Sequence, residues 1–204
     1  MARPLDIALP VHDAPCERAD AARNRGRLLE AARTIIDRDG VGALTMQAVA
    51  DAAGVGKGTL FRRFADRAGL LHALLDEDER LFQDQIIGGP PPLGPGAAPV
   101  DRLAAFGRAR LAFVLRHGAV LRAADRSRCQ DTEHPVHVAH RMHLGVLLGQ
   151  AGVPPQHSAY LATVLLAALD PALVLDQQAR DGLPLEDLAA GWERLARAAV
   201  TQAA

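Results

Sequence analysis

Apolar residues recur along most of this chain at the three- and four-residue spacing of an amphipathic helix. The first such stretch starts at Arg23 and ends at Gly40, where a residue in the left-handed conformation suits a helix C-terminus. Thr45 is a suitable N-cap for a second, short helix, and Gly54 ends the pattern that follows it. The predicted inward positions of these two helices are Leu28, Ala32, Ile35, Ile36, Met46, Val49, Ala50 and Ala53.

Two further helices are predicted before the first long interruption of the pattern. The third is short, and its apolar anchors are Leu60, Phe61 and Phe64. Asp66 is placed to cap a fourth helix from residue 67 to about residue 87. The predicted inward stripe of the fourth helix is Leu70, Leu71, Leu74, Leu75 and Leu81. The acidic run at 76–79 is expected on a solvated face of that helix.

A stretch rich in proline and glycine at 88–98 cannot continue any helix, and it predicts a loop. Helices are predicted beyond it at 99–117, 119–127, 135–151, 156–180 and 185–202. The alternation typical of a β-strand does not persist anywhere in the chain. The predicted fold class is therefore all-α.

The charged residues are distributed unevenly, although the formal net charge is only −1. Lys57 is the only lysine in the chain, and it lies within ten residues of Arg62, Arg63 and Arg67. A nearly neutral protein with one basic stretch can still attract phosphate at that stretch. Aromatic residues make up only 3% of the chain, so the core is expected to be aliphatic.

Several features favour a cytoplasmic protein without a membrane partner. Cys16 and Cys129 give no disulfide framework or metal knuckle, which fits a reducing compartment. The N-terminal stretch has no secretion signal. The most apolar run, 161–175, contains Asp170 and Pro171 and is too short to span a bilayer.

The segment 45–64 has the organisation of a helix-turn-helix, with two helices of fewer than ten residues joined by a turn that contains glycine. Gly54 is expected at an unusual backbone angle, and Val55 is expected to fill the corner between the helices. Short side chains at the start of the second of these helices allow its backbone to approach the major groove of DNA. The side chains predicted to project outward are Lys57, Gly58, Thr59, Arg62 and Arg63.

Residues 23–75 resemble the DNA-binding domain of the TetR family of bacterial transcriptional regulators. The resemblance is carried by Arg27-Leu28-Leu29-Glu30-Ala31-Ala32, by Asp39-Gly40, by Gly54-Val55-x-x-Gly58-Thr59-Leu60-Phe61-x-x-Phe64 and by Phe64-x-x-Arg67-x-x-Leu70-Leu71. The family often has Tyr where Phe61 stands, Ser where Gly56 stands and Lys where Arg67 stands. Phe61 has no hydroxyl for a phosphate, whereas Arg67 can make the contact that a lysine makes.

The resemblance implies a domain organisation and a set of DNA-binding residues. The expected organisation is a mobile arm at 1–22, a DNA-binding domain at 23–87, the loop at 88–98 and a larger helical domain at 99–204 for ligand sensing and dimerisation. The predicted DNA-binding residues are Thr45, Gly56, Lys57, Gly58, Thr59, Phe61, Arg62, Arg63 and Arg67. The implied function is that of a homodimeric regulator that binds operator DNA, typically a repressor released by a small molecule, without enzymatic activity or a cofactor. The expected dimer interface uses the apolar faces of 156–180 and 185–202.

A small-molecule pocket is expected between the helices of the C-terminal domain. Its predicted lining is Phe106, Arg110, Phe113, His137, His140, Met142, Leu147, Gln150 and Tyr160. The histidines between His134 and His143 leave an alternative open, a metal-dependent enzyme or a metal sensor that uses His137, His140 and an acid from another helix. A regulator with a degenerate pocket that binds only DNA or a partner protein is a third hypothesis.

Overall fold

The computed structural model describes residues 15–124 and 135–203, and the chain divides into two compact units between residues 70 and 71. The division lies inside the fourth helix, whereas the sequence pattern places a domain boundary after residue 87. The regular elements of both described ranges are helices, so the predicted all-α class is confirmed.

The first unit contains the predicted short helices in the predicted order. They are α1 (Pro15–Asp39), a 3₁₀ turn (Val41–Ala43), α2 (Met46–Ala53), α3 (Lys57–Phe64) and the first turn of α4 (Arg67–Gly88). Gly40 ends α1 with a φ of 81°, a conformation that glycine adopts without steric cost. Thr45 caps α2 as predicted, because its hydroxyl accepts a hydrogen bond of 3.0 Å from the backbone N–H of Ala48.

Helix α1 starts earlier than its apolar pattern indicates, so the predicted arm at 1–22 is wrong for residues 15–22. This segment has no inward stripe, but alanine and charged residues of good intrinsic helix propensity make up most of it. Pro15 is the first residue of the helix, where its missing N–H costs nothing. The rest of the predicted arm, 1–14, lies outside the described residues.

The second unit is built around α5 (Pro99–Arg116). The other helices of this unit are the remainder of α4, α6 (Gly118–Ala123), α7 (Pro135–Gln150), α8 (Pro155–Ala167), α9 (Pro171–Asp181) and α10 (Leu185–Ala203). Helix α5 packs against α6, α7, α9 and α10, and α7 packs against α8. Phe106 and Leu103 on α5 and Leu144 and Leu147 on α7 are completely buried, so the core is mainly aliphatic, as composition predicts.

The predicted helix 156–180 is wrong as a single element, because the structure divides it into α8 and α9. Pro171 has no N–H to donate to a preceding turn, and its ring clashes with the carbonyl four residues earlier. Asp170 then acts as the N-cap of α9, since its Oδ1 accepts hydrogen bonds of 2.9 and 3.1 Å from the backbone N–H groups of Ala172 and Leu173. The end of the predicted helix 119–127 lies outside the described residues from 125 onward.

The inward face of α4 is shifted from its predicted position. Leu81, predicted to face inward, is 46% exposed, whereas Phe82 and Ile86 are buried and Glu79 is 6% exposed. Leu70, Leu71 and Leu74 are buried as predicted. The acidic run at 76–79 is therefore not a fully solvated face, because its last carboxylate enters the interior.

The loop at 89–98 is compact, and Gly88 belongs to α4 instead of the loop. The backbone N–H of Gly94 donates a hydrogen bond of 3.0 Å to the carbonyl of Pro90. A Cβ atom at Gly94 would collide with the carbonyl oxygen of Gly89, so this close approach requires glycine.

The contact between α5 and α10 depends on the only tryptophan in the chain. Trp192 is 4% exposed, and its indole N–H donates a hydrogen bond of 3.2 Å to the backbone carbonyl of Leu165. Its ring lies directly over Gly107 on α5, where a Cβ atom would overlap the ring. Gly107 therefore allows the two helices to approach each other.

No single helix in the described part of the chain has both the length and the apolar content of a membrane span. Helices α8 and α9 have that length and apolar content only when they are taken together, and the chain bends by 45° between them.

We predict that Gly107→Ala destabilises the second unit by about 1–3 kcal/mol, because the added methyl group displaces the ring of Trp192 in a close-packed core. Chemical denaturation monitored by tryptophan fluorescence measures the change. Gly191→Ala on α10 is the matched control, since the atom nearest to its Cβ is a guanidinium nitrogen of Arg194 at 3.9 Å. Equal stability of the two variants would contradict the proposed role of Gly107.

Candidate functional site

Helices α2 and α3 form a helix-turn-helix whose inner face is buried. Gly54 adopts the left-handed conformation, with a φ of 66°, as predicted for the turn. The N–H of Val55 donates a hydrogen bond of 3.0 Å to the carbonyl of Ala50 and closes the end of α2. Leu60 is fully buried and Phe64 is 5% exposed, so α3 is held to the unit along one face.

The opposite face of α3 is exposed and basic. The structure brings Lys57, Gly58, Arg62 and Arg63 together on this face, with Thr59 half-buried beside them. Lys57 and the two arginines carry positive charge, and α3 itself contains no acidic residue. The arrangement is that of a short helix held by its apolar face with its cationic face open to solvent.

Phe61 is 41% exposed, so its predicted role as an apolar anchor is wrong. It lies on the solvent side of α3, and the ammonium group of Lys57 lies 5.8 Å from the centroid of its ring. The expected contact of Phe61 with DNA stays a prediction.

The two glycines among the predicted DNA-binding residues are not needed for packing within the unit. A Cβ atom at Gly56 or at Gly58 would meet no atom within 4 Å. Gly58 is also the second residue of α3, where glycine loses more conformational freedom on folding than alanine would. A residue that lowers helix stability without filling a tight space is consistent with close approach of an external partner.

Arg67 has a structural role that the sequence pattern did not show. Its Nε donates a hydrogen bond of 2.8 Å to the carbonyl of Leu44, and its Nη2 donates one of 2.8 Å to the carbonyl of Val41. These bonds join the start of α4 to the 3₁₀ turn before α2. The predicted contact of Arg67 with phosphate stays a prediction, and it would have to use the remaining N–H groups.

The turn between α3 and α4 is also fixed by particular residues. Asp66 accepts a hydrogen bond of 2.8 Å from the backbone N–H of Gly69, which confirms it as the cap of α4. A Cβ atom at Gly69 would collide with the carbonyl oxygen of Phe64, so the two helices can meet only at a glycine. Sequence reasoning missed Gly69, although its spacing from the capping aspartate was a possible signal.

The second unit contains a cavity of about 290 Å³ between α5, α7, α8 and α9. Its lining is Arg110, His137, His140, Arg141, Thr163, Leu166, Ala167, Leu169, Asp170 and Pro171. Three of the predicted pocket residues, Arg110, His137 and His140, are therefore brought together.

The other predicted pocket residues lie elsewhere in the second unit. Phe106, Phe113 and Leu147 are buried in the core beside the cavity and do not line it. Met142 is 65% exposed and lines a separate open groove between α7 and α8. Tyr160 is 72% exposed, Gln150 is also exposed, and neither lines the cavity or the groove. Helical phase alone was the basis for these positions, and it does not show which neighbour covers a given face.

A buried ionic cluster lies against the cavity. The Oε2 atom of Glu79 accepts a hydrogen bond of 2.5 Å from Nη1 of Arg110. Nε2 of His140 lies 2.9 Å from Oε1 of Glu79, without the alignment of a hydrogen bond. Burial raises the pKa of Glu79, but His140 and Arg110 outweigh burial and hold that pKa below its ordinary value. The carboxylate of Glu79 is therefore charged inside the unit.

The predicted metal alternative needs three converging ligands, and no such group is found among residues 15–124 and 135–203. His140 does meet an acid from another helix, Glu79, but that acid is already paired with Arg110. His143 lies against Phe106, with 5.6 Å between ring centroids. Burial, with the charges of Arg102 and His140, lowers the pKa of His143 to about 4. His134 lies outside the described residues.

Known proteins share both the helix-turn-helix and the overall fold. Residues 28–74 match the family model of bacterial regulatory proteins of the tetR family. A stretch of 65 residues is 37% identical to an HTH-type transcriptional regulator of Staphylococcus aureus, and it covers 32% of this chain and 35% of that protein. The matched stretch thus spans about a third of the length of that relative.

Solved structures extend the similarity to most of the chain. A transcriptional regulator from Rhodococcus sp. RHA1 superposes with a TM-score of 0.63 at 21% identity, covering 88% of this chain and 97% of that one. A TetR regulator from Streptomyces coelicolor superposes with a TM-score of 0.63 at 18% identity, covering 87% and 97%. At these identities the likeness establishes the fold.

The first unit is thus a helix-turn-helix domain with one exposed cationic helix. Its residues 28–74 match the model of the tetR family of bacterial regulatory proteins, which confirms the resemblance seen in the sequence. The helical second unit completes the fold shared with the solved regulators.

We predict that Arg67→Gln destabilises the first unit by about 1–3 kcal/mol, because two backbone carbonyls lose their charged partner. Arg62→Gln is the matched control, since Arg62 is exposed on α3 and its loss is expected to change stability by less than about 0.5 kcal/mol. Urea denaturation followed by circular dichroism measures both. If Arg67→Gln is as stable as Arg62→Gln, the role assigned to the two carbonyl contacts is wrong.

Proposed function

We propose that the protein is a DNA-binding transcriptional regulator that inserts α3 into the major groove of operator DNA. The observation that supports this most directly is the exposed cationic face of α3 on a buried helix-turn-helix frame of the TetR family. The major groove is about 12 Å wide and can accommodate an α-helix. Lys57, Arg62 and Arg63 supply charge for phosphates and donors for base edges, and Gly58 allows the helix backbone to approach closely.

The remaining predicted residues are assigned supporting contacts. Thr45 and Gly56 stand at helix N-termini, where free N–H groups and the helix dipole favour a phosphate. Thr59 and Phe61 flank the cationic side chains on α3. Arg67 contacts a phosphate through the N–H groups that its two backbone hydrogen bonds leave over.

We propose further that the regulator works as a homodimer, because one short helix reads too few bases for useful specificity. Two-fold related recognition helices about 34 Å apart would match two half-sites of an operator. Of the two faces expected at the interface, that of 185–202 is only partly available. Trp192, Ala196 and Val200 on α10 are less than one-tenth exposed within their own unit, whereas Leu195 is 43% exposed.

Helices α7 and α8 offer the better dimer surface. Their exposed apolar side chains are Met142, Val146, Tyr160 and Val164. Gly145 and Gly149 line the groove of about 700 Å³ between the two helices, and their lack of side chains allows a second copy to approach closely. Charged residues are rare on this surface, as in the cores of stable interfaces.

We propose that a small molecule in the cavity of the second unit releases the regulator from DNA in the cytoplasm, as a repressor is released, with no catalysis and no cofactor. Helix α4 supports this coupling, because it begins at Arg67 in the first unit and carries Glu79 to the ionic cluster beside the cavity. A ligand shifts the protein only by its differential affinity for the two conformations.

For DNA binding we predict that Arg62→Ala with Arg63→Ala weakens affinity by about 1–3 kcal/mol for each arginine that contacts a base. Duplexes selected from a random pool by the full-length protein serve as probes, and fluorescence anisotropy measures affinity over a range of salt concentrations. Binding is expected to weaken steeply as salt increases, because phosphate contacts release counterions. Gly58→Glu is expected to fold normally, since its site is open, and to lose binding.

Arg180→Ala with Arg194→Ala is the control for this experiment, because both arginines are exposed in the second unit. It removes the same charge and is expected to leave affinity within about twofold. Unchanged affinity in the α3 variant, or binding that does not respond to salt, is incompatible with the proposal.

For the dimer we predict that Val146→Glu converts the protein to a monomer, since an interface cannot easily bury an unpaired carboxylate. Light scattering at micromolar concentration measures the mass of both proteins. Leu173→Glu on α9 is the matched control, because Leu173 is 44% exposed outside the α7–α8 surface. A wild-type monomer, or a dimer that survives Val146→Glu, would rule out this interface.

A further inference from the structure

The cavity of the second unit is lined by more basic than acidic groups. Arg110 is 6% exposed and His140 is 2% exposed, and both line it from the interior. His137 and the exposed Arg141 line it from α7. The one acidic lining residue is Asp170, whose Oδ1 already accepts hydrogen bonds from two backbone N–H groups at the start of α9. This distribution favours an anionic ligand over a cationic one.

Apart from Thr163, whose hydroxyl donates a hydrogen bond of 2.9 Å to the carbonyl of Ala159, the rest of the lining is aliphatic. Leu166, Ala167, Leu169 and Pro171 form the apolar part, and no Phe, Tyr or Trp lines the cavity. Its volume of about 290 Å³ lies just below the range of ~300–1,000 Å³ typical of ligand pockets. A short aliphatic chain fits this shape better than a polycyclic compound.

Arg110 is held in position to bind a carboxylate. Its guanidinium carbon lies 4.7 Å from the ring centroid of Phe113, and one of its nitrogens bonds Glu79. A guanidinium has five N–H donors in a planar fork that matches a carboxylate, so Glu79 occupies only part of its capacity. A second carboxylate arriving from the cavity would compete with Glu79 for the same cation.

We propose that the cavity binds a small aliphatic carboxylate, whose carboxylate group competes with Glu79 for Arg110. This inference rests on the proposed function, since it identifies the chemical class of the effector and the contact that it breaks. Glu79 lies on α4, the helix whose first turn is tied to the 3₁₀ turn by Arg67. Weakening of the Glu79–Arg110 bond removes a buried restraint on α4 and thereby links the ligand to the helix that leads to the DNA-binding unit.

Isothermal titration calorimetry on the full-length protein, without DNA, tests the ligand class. The probes are butyrate and hexanoate, with butyramide as the neutral analogue of the same shape and butylamine as a cationic analogue with the same number of carbon atoms. The carboxylates are expected to bind at least about tenfold more tightly than either analogue, because hydrogen bonds between charged groups are roughly twice as strong as neutral ones. Equal binding of the amide, or preference for the amine, would overturn the assignment.

Two variants test the competition. Glu79→Gln removes the competing charge while keeping its shape, and we expect butyrate and hexanoate to bind about tenfold more tightly. Glu79→Gln with Arg110→Met removes both charges, which avoids leaving one unpaired in the interior, and it is expected to abolish carboxylate binding. Glu186→Gln is the control, since Glu186 pairs with Arg108 on the surface and is expected to change nothing.

Thermal unfolding of each variant shows whether the second unit is intact, so a binding defect is separated from misfolding. If Glu79→Gln weakens or does not change carboxylate binding, competition with Glu79 is excluded. DNA anisotropy in the presence of butyrate tests the proposed function separately. Carboxylate binding without DNA release would contradict ligand release and leave the cavity assignment standing. DNA binding without carboxylate binding would contradict the cavity assignment and leave the proposed DNA-binding function standing.

Discussion

The ion pair between Glu79 and Arg110 is the contact on which the organisation of the second unit most depends. It joins α4 to α5 inside the unit, and His140 brings α7 to the same carboxylate. Removing one partner of such a pair typically costs about 3–5 kcal/mol, because the other charge is left buried without compensation. The three helices around it are therefore held in one arrangement by charge as well as by the aliphatic core. The same pair lies beside the cavity, because Arg110 both holds Glu79 and lines the cavity.

In the first unit, the main constraint is that α3 is held firmly while most of its surface stays exposed. Leu60 and Phe64 supply the apolar attachment of α3, and the turns at Gly54 and Gly69 bring its neighbours close. A helix of eight residues is only marginally stable alone, so this attachment is what keeps α3 helical. The free-energy cost of the cationic surface is then small, because none of the basic side chains on α3 has to be buried.

Local chemistry explains why most helix ends were predictable from the sequence. Gly40, Thr45, Gly54 and Asp66 act through their own backbone conformation or through hydrogen bonds to neighbours along the chain, which a sequence displays directly. Features that depend on distant residues were predicted less well. Leu81 and Glu79 were misplaced because the neighbours of α4 decide which of its faces is buried. The burial of Trp192 on α10 was not predicted for the same reason, as it depends on the fit of its ring over Gly107. Of the predicted pocket, only the three residues that share the cavity with α8 and α9 were found together.

The arginines show why clustered charge alone overstates a nucleic-acid surface. Arg62, Arg67 and Arg110 are chemically identical, but their surroundings assign them different tasks. Arg62 lies exposed on α3, Arg67 donates two hydrogen bonds to backbone carbonyls, and Arg110 neutralises a buried carboxylate. The planar guanidinium suits all three environments because it stays charged when buried and can donate in several directions at once. A chain with one lysine and many arginines can therefore use the same residue type for framework, interior and surface. The number of donors that remain after internal contacts, more than the position in a basic run, decides which arginines are available to a ligand or to DNA.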